Sequence, residues 1–174
     1  MIPETVSLYS GDLPACLYAL AQSDPSKLLD AQRALLVAIR ANIRQATALA
    51  HLTADGRPTV LICDRAELDL DAYVEPSNVT TWLRELGTSR AEVLKDYDAV
   101  LHLVTTAEGA EDHFDRPSPM PRSDLLAYAR DLDGKNHTAW SPHPRFHRLD
   151  NARGWQAKLN KAMAKIRSAL HSGD

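Results

Sequence analysis

The chain has 174 residues, 44% hydrophobic but only 6% aromatic, which is enough for one aliphatic core and, by default, a single domain over residues 1–174. Its net charge of −3 excludes a globally basic nucleic-acid binder, and two cysteines, Cys16 and Cys63, give no disulfide framework. No apolar stretch is long enough to span a bilayer and Met1–Ile2–Pro3–Glu4 lacks the character of a secretion signal, so a soluble, cytoplasmic protein is expected.

In chain order, Leu28, Leu29, Leu35, Leu36, Ile39, Ile43 and Leu49 recur at helical spacing and predict a helix from about Ser26 to Ala50, with Ser26 as its N-cap. The breaker Ala54–Asp55–Gly56–Arg57–Pro58 feeds the apolar run Thr59–Val60–Leu61–Ile62–Cys63, which reads as a buried parallel strand. A helix is expected over Val79–Lys95, a second buried strand over Ala99–Thr105, and a short helix over Ser123–Leu132 after the proline-punctuated stretch from Arg116 to Pro121. A strand near Phe146–Leu149 precedes a last helix that carries Trp155, Leu159, Met163, Ile166 and Leu170 along one face, spaced to pack on a sheet. That helix is also basic, which fits a membrane-surface or partner-helix role.

Apolar strands separated by helices argue for an α/β fold with a mainly parallel sheet. Ligands gather at the C-terminal ends of such strands. The positions to interrogate are therefore Glu4 after a strand stump at Met1–Ile2, then Asp64 and Arg65, then Thr105, Thr106 and Glu108, and last Asp150, Asn151 and Arg153. Charge is uneven as well: Asp64, Glu67, Asp69, Asp71 and Glu75 crowd one segment, while Arg145, Arg148, Arg153, Lys158, Lys161, Lys165 and Arg167 crowd another. Two mutually attracting solvated faces explain this, and so does an acidic metal-side loop facing a basic phosphate-side surface. His137, His143 and His147 fall close together, but no cysteine lies nearby and Pro142 and Pro144 bracket the middle one, so a zinc site is not expected.

Four blocks carry a resemblance. They are Ile2–Pro3–Glu4–Thr5; Leu61–Ile62–Cys63–Asp64–Arg65 with Asp69 and Tyr73; Tyr97–Asp98 running through Ala99–Thr105; and Ala139–Trp140–Ser141–Pro142–His143–Pro144 running to Leu149–Asp150–Asn151. In this order they resemble the small AAA-type P-loop ATPase domains related to the nicotinamide-nucleotide regulator kinases. The fold so implied is a three-layer α/β sandwich of the P-loop NTPase, kinase-like kind. Members of that family open with a strand, a phosphate-binding loop and its helix, yet no G-x-x-x-x-G-K-[ST] occurs in these 174 residues. The N-terminal strand and loop are expected upstream, in a full-length form, and the chain as written is expected to be impaired.

The resemblance implies roles residue by residue. Asp64 would be the Walker B carboxylate holding Mg2+ for ATP, although a cap on the turn after the strand explains it as simply. Arg65 would steady that carboxylate or reach a phosphate, and Glu4 would face an unknown small-molecule acceptor. The segment from about 116 to 133 resembles a lid whose arginines, Arg122 first and then Arg116 and Arg130, close on the transferring phosphate. Asn151 and Arg153 would contact the nucleotide base; an Asp–Asn turn capping the last helix is the simpler alternative. Phosphoryl transfer or ATP hydrolysis is one functional reading, an inactive nucleotide-sensing or protein-interaction module is another, and a phosphate loop supplied in trans by a second chain is a third. An unpaired strand edge left by the missing segment would favour a homodimer.

Overall fold

A run from Pro25 to Leu52 without glycine or interior proline forms the long helix α1, Pro25–Leu52. Its N-cap is Asp24 rather than Ser26: the Asp24 carboxylate accepts from the Lys27 N–H at 3.2 Å and from the Ser26 hydroxyl at 2.7 Å. Pro25 explains the shift, because a proline at the first helical position has no N–H to satisfy and its fixed φ already suits the helix. The computed structural model describes residues 23–53, 55–56, 59–115 and 121–171, which divide into two compact units between Gly87 and Thr88.

In the first unit, α1 and the helix α2, Pro76–Glu85, both contact a 3-10 helix, Glu67–Ala72. Leu36, Leu68, Val79 and Leu83 are fully buried here, each contributing roughly 1.5–3 kcal/mol of apolar transfer. Asp69 caps the 3-10 helix by accepting from the Ala66 N–H at 2.6 Å. The strand expected at Thr59–Cys63 does not form. Thr59 to Ile62 have no regular structure, Cys63 alone makes a bridge, and Val60 and Ile62 are 40% and 44% exposed. An apolar run becomes a strand only when a neighbour pairs with it, and its pattern cannot supply that neighbour.

The helix expected over Val79–Lys95 is two helices, α2 and α3, Arg90–Lys95. Gly87 breaks it with φ 72°, and Ser89 starts α3 by accepting from the Glu92 N–H at 3.2 Å.

In the second unit, β1, Val100–Leu103, pairs in parallel with β2, Phe146–Leu149, and helix α4, Arg122–Trp140, lies between them in the chain. The register sets Val100 opposite Phe146 and Leu103 opposite Leu149, so both strands end at one level. This is a parallel βαβ unit in which β1 is shorter and the crossover helix longer than the sequence indicates, while β2 falls where it is expected. Helix α5, Gly154–His171, follows and contacts β2.

The face by which α5 packs differs from the expected one. Lys158 and Ala162 are buried, with Ala157, Ile166 and Ala169 partly so, whereas Trp155 is 67% exposed and Leu159, Met163 and Leu170 are exposed too. Small residues admit the sheet closely, and the large apolar row is left on the flank. No helix among the described residues is long and apolar enough to cross a membrane.

Candidate functional site

Parallel pairing brings the turn after β1 beside the turn after β2, and a polar network joins them. Asn151, just beyond β2, donates from Nδ2 to the carbonyls of Thr105 at 2.8 Å and Glu108 at 2.7 Å. Its Oδ1 accepts from Lys158 Nζ at 2.8 Å, and Lys158 donates also to the Val104 carbonyl at 2.6 Å. Lys158 is only 5% exposed, and burial pushes its pKa down, partly countered by Asp133 and Asp150. It is thus a buried cation held by two neutral oxygens, a costly arrangement typical of a site rather than of a surface.

From α4, Asp133 reaches the same turn: one carboxylate oxygen accepts from the Thr105 N–H at 2.8 Å and the other from His102 Nε2 at 3.0 Å. Burial alone would raise the Asp133 pKa, but these donors, with the charges of His102 and Arg148, bring it below its ordinary value. His102 also meets the rings of His137 and Phe146, at centroid distances of 5.5 and 5.8 Å. Arg148 pairs with Glu108.

The arginines of the lid-like segment hold this turn from below. Arg122, the first residue of α4, donates to the carbonyls of Glu111 at 2.7 Å and Phe114 at 2.9 Å, while Arg130 donates to the Ala107 carbonyl at 2.6 Å and pairs with Glu111 at 2.9 Å. Ala107, Phe114 and Leu125 make a small buried core between the turn and α4. In this state Arg122 is a staple on protein carbonyls, and a role on a phosphate requires those bonds to open. Arg116 and Glu4 lie outside the described residues.

Asp64 and Arg65 belong to the first unit. Asp64 is exposed, and Arg65 follows it with φ 69°, a left-handed backbone that costs an L residue about 1–2 kcal/mol. Arg65 lies 3.7 Å from Asp69. Beneath them Arg40 and Glu67 form a buried ion pair at 3.1 Å between α1 and the 3-10 helix. Cys63 is a free thiol whose pKa is pushed up by burial and by Glu67, so it has little thiolate character.

The three histidines near the C-terminus do not converge. His137 packs on Phe146, His143 uses Nε2 on the Tyr97 carbonyl at 2.8 Å and accepts at Nδ1 from the Arg145 N–H at 3.0 Å, and His147 lines a groove with Lys165. Among the described residues no group of three metal-ligating side chains gathers.

Asn151 is where the sequence places it, at the strand end, but its amide is spent on the chain's own carbonyls; Arg153 is exposed in the turn before α5. Sequence reasoning misses Asp133, His102 and Lys158. The available signals are an aspartate inside a helix and a lysine four residues before Ala162 on the row of small residues. No family model, curated protein or solved structure matches the chain.

Proposed function

We propose that this chain carries the metal-side and lid-side parts of an ATP-binding AAA-type P-loop ATPase or kinase-like domain, which performs phosphoryl transfer or ATP hydrolysis in a full-length form. The observation that carries this reading is the parallel β1–α4–β2 unit, whose strand-end turns, Thr105–Glu108 and Asp150–Arg153, adjoin as in sheets that bind ligands at their C-terminal edge. The order of the resembling blocks supports it as well. In this reading the complete fold is a three-layer P-loop sandwich, Asp64 holds Mg2+ with Arg65 beside it, and in the second unit Asn151 with Lys158 sets the shape of the strand-end turns that carry Arg153.

The phosphate-binding loop would come from outside these residues. Two features fit a strand and helix that bring it. Val100 and Val104 bond toward β2, so by alternation Leu101 and Leu103 direct their backbone groups to the opposite edge of β1, where no strand pairs among the described residues. The exposed row Trp155, Leu159, Met163 and Leu170 of α5 would cover a helix packed on the same side.

A second reading is favoured by one observation: Arg122 and Asn151 are both engaged with main-chain carbonyls rather than free. It is a domain that keeps the fold for nucleotide sensing or protein interaction without catalysis. The deciding assay is Mg2+-dependent ATP turnover of the product of the natural gene, including any in-frame upstream sequence. Turnover abolished by Asp64→Ala, with the circular dichroism spectrum unchanged, is expected of the enzyme. Absence of both turnover and Mg-ATP binding would overturn that reading.

A further inference from the structure

Outside the strand-end turns, the free edge of β2 and one flank of α5 enclose a shallow groove of about 440 Å³, lined by Phe146, His147, Arg148, Leu149, Lys161 and Lys165 together with Ala164. No carboxylate lines it. Arg148 is neutralised by Glu108, but Lys161 and Lys165 have no ion pair among the described residues. The groove's own histidine reports the resulting field: the His147 pKa is lowered by burial and further by Lys165, His143 and Arg145, with no acid acting against them. The wall on the strand side is open backbone. Because β2 bonds to β1 through Arg145 and Leu149, alternation directs the Arg148 N–H and the Phe146 and Arg148 carbonyls away from β1, and no third strand pairs there among the described residues.

We propose that this groove is a docking site for an acidic peptide segment of a partner protein, which adds to the edge of β2 as an extended strand while its carboxylates pair with Lys161 and Lys165. Backbone bonding at the edge gives the segment its extended form, and the two lysines select its charge. The alternation of a strand suits the site: side chains on one face of the incoming segment meet the apolar floor of Leu149 and Ala164, and carboxylates at the rim meet the lysines. A nucleic-acid strand would also answer the positive field, but single-stranded binding relies on aromatic platforms. The one aromatic ring of the groove, Phe146, is packed against His102 and His137 instead. This inference does not depend on ATP chemistry, since neither lysine belongs to the strand-end network.

The test is fluorescence anisotropy with a labelled decapeptide of alternating Glu and Val, at low salt, beside a Ser/Val peptide and a single-stranded oligonucleotide of mixed sequence. The acidic peptide is expected to bind and to weaken as salt rises. The double variant K161E/K165E should lose at least about tenfold in affinity and K161Q/K165Q should fall between, each with an unchanged circular dichroism spectrum. Amide exchange at Arg148 should slow on binding. No binding of the acidic peptide, equal binding by both variants, an unprotected Arg148 amide, or tighter binding of the oligonucleotide through the same lysines would each overturn the proposal.

Discussion

Asp133 sits between a ring N–H and a backbone N–H, and its charge is what both donors require. Its carboxyl binds a proton less readily folded than unfolded, because the donors outweigh the burial that acts against them. Its contribution to stability is therefore complete above the ordinary value of 3.8 and is lost as pH falls through the lowered folded value. Urea unfolding of the native chain and of Asp133→Asn should show the variant about 1–3 kcal/mol less stable at neutral pH, with the gap narrowing on acidification below that value. A gap independent of pH would mean that the carboxylate charge plays no part. Lys158 has the same sign of linkage in an alkaline window: a base with a lowered pKa binds protons less readily folded than unfolded, so it favours folding more as pH rises toward 10.5. Its removal is still costly, since Lys158→Met orphans Asn151 Oδ1 and leaves the Val104 carbonyl only the long 3.4 Å bond from Asn151 Nδ2; a loss of about 1–3 kcal/mol is expected in the same measurement. A neutral outcome would indicate that water replaces the ammonium.

At the scale of elements, Gly87 separates α2 from α3 by a backbone turn that an L residue resists. A Cβ there would meet nothing within 4 Å, so Gly87→Ala isolates the backbone cost, and a loss of about 1–2 kcal/mol is expected in thermal or urea unfolding. An unchanged midpoint would show that the left-handed turn is not needed. This break illustrates what the sequence conceals: the apolar spacing of Val79, Leu83 and Val93 runs on through Gly87, and only the glycine followed by Ser89 marks the stop. β2 was legible to the residue, because a turn at Ser141–Pro144 and the Asp150–Asn151 pair bracket it. Thr59–Cys63 was not, since its apolar run says nothing about pairing. Nor was the packed row of α5: two apolar rows lie side by side on that helix, and the smaller one faces the sheet.

At the scale of the whole molecule, the strand-end turns were legible from topology, since any parallel sheet collects its loops at one edge, and Asn151 falls in them as expected. The bonds that hold them were not, because Asp133 and Lys158 come from helices distant in sequence and act on main-chain groups that carry no residue signature, the Thr105 N–H and the Val104 carbonyl. We propose that these residues work with a phosphate-binding strand, loop and helix of a longer form, seated on the edge of β1 that no strand pairs among the described residues and on the exposed row of α5. The most direct measurement is the intact mass of the protein made from its natural gene, read together with the in-frame sequence preceding Met1. The account predicts a mass well above 19.2 kDa and an added segment in which a strand leads into G-x-x-x-x-G-K-[ST]. A native mass of 19.2 kDa, with a stop codon just upstream, would contradict it.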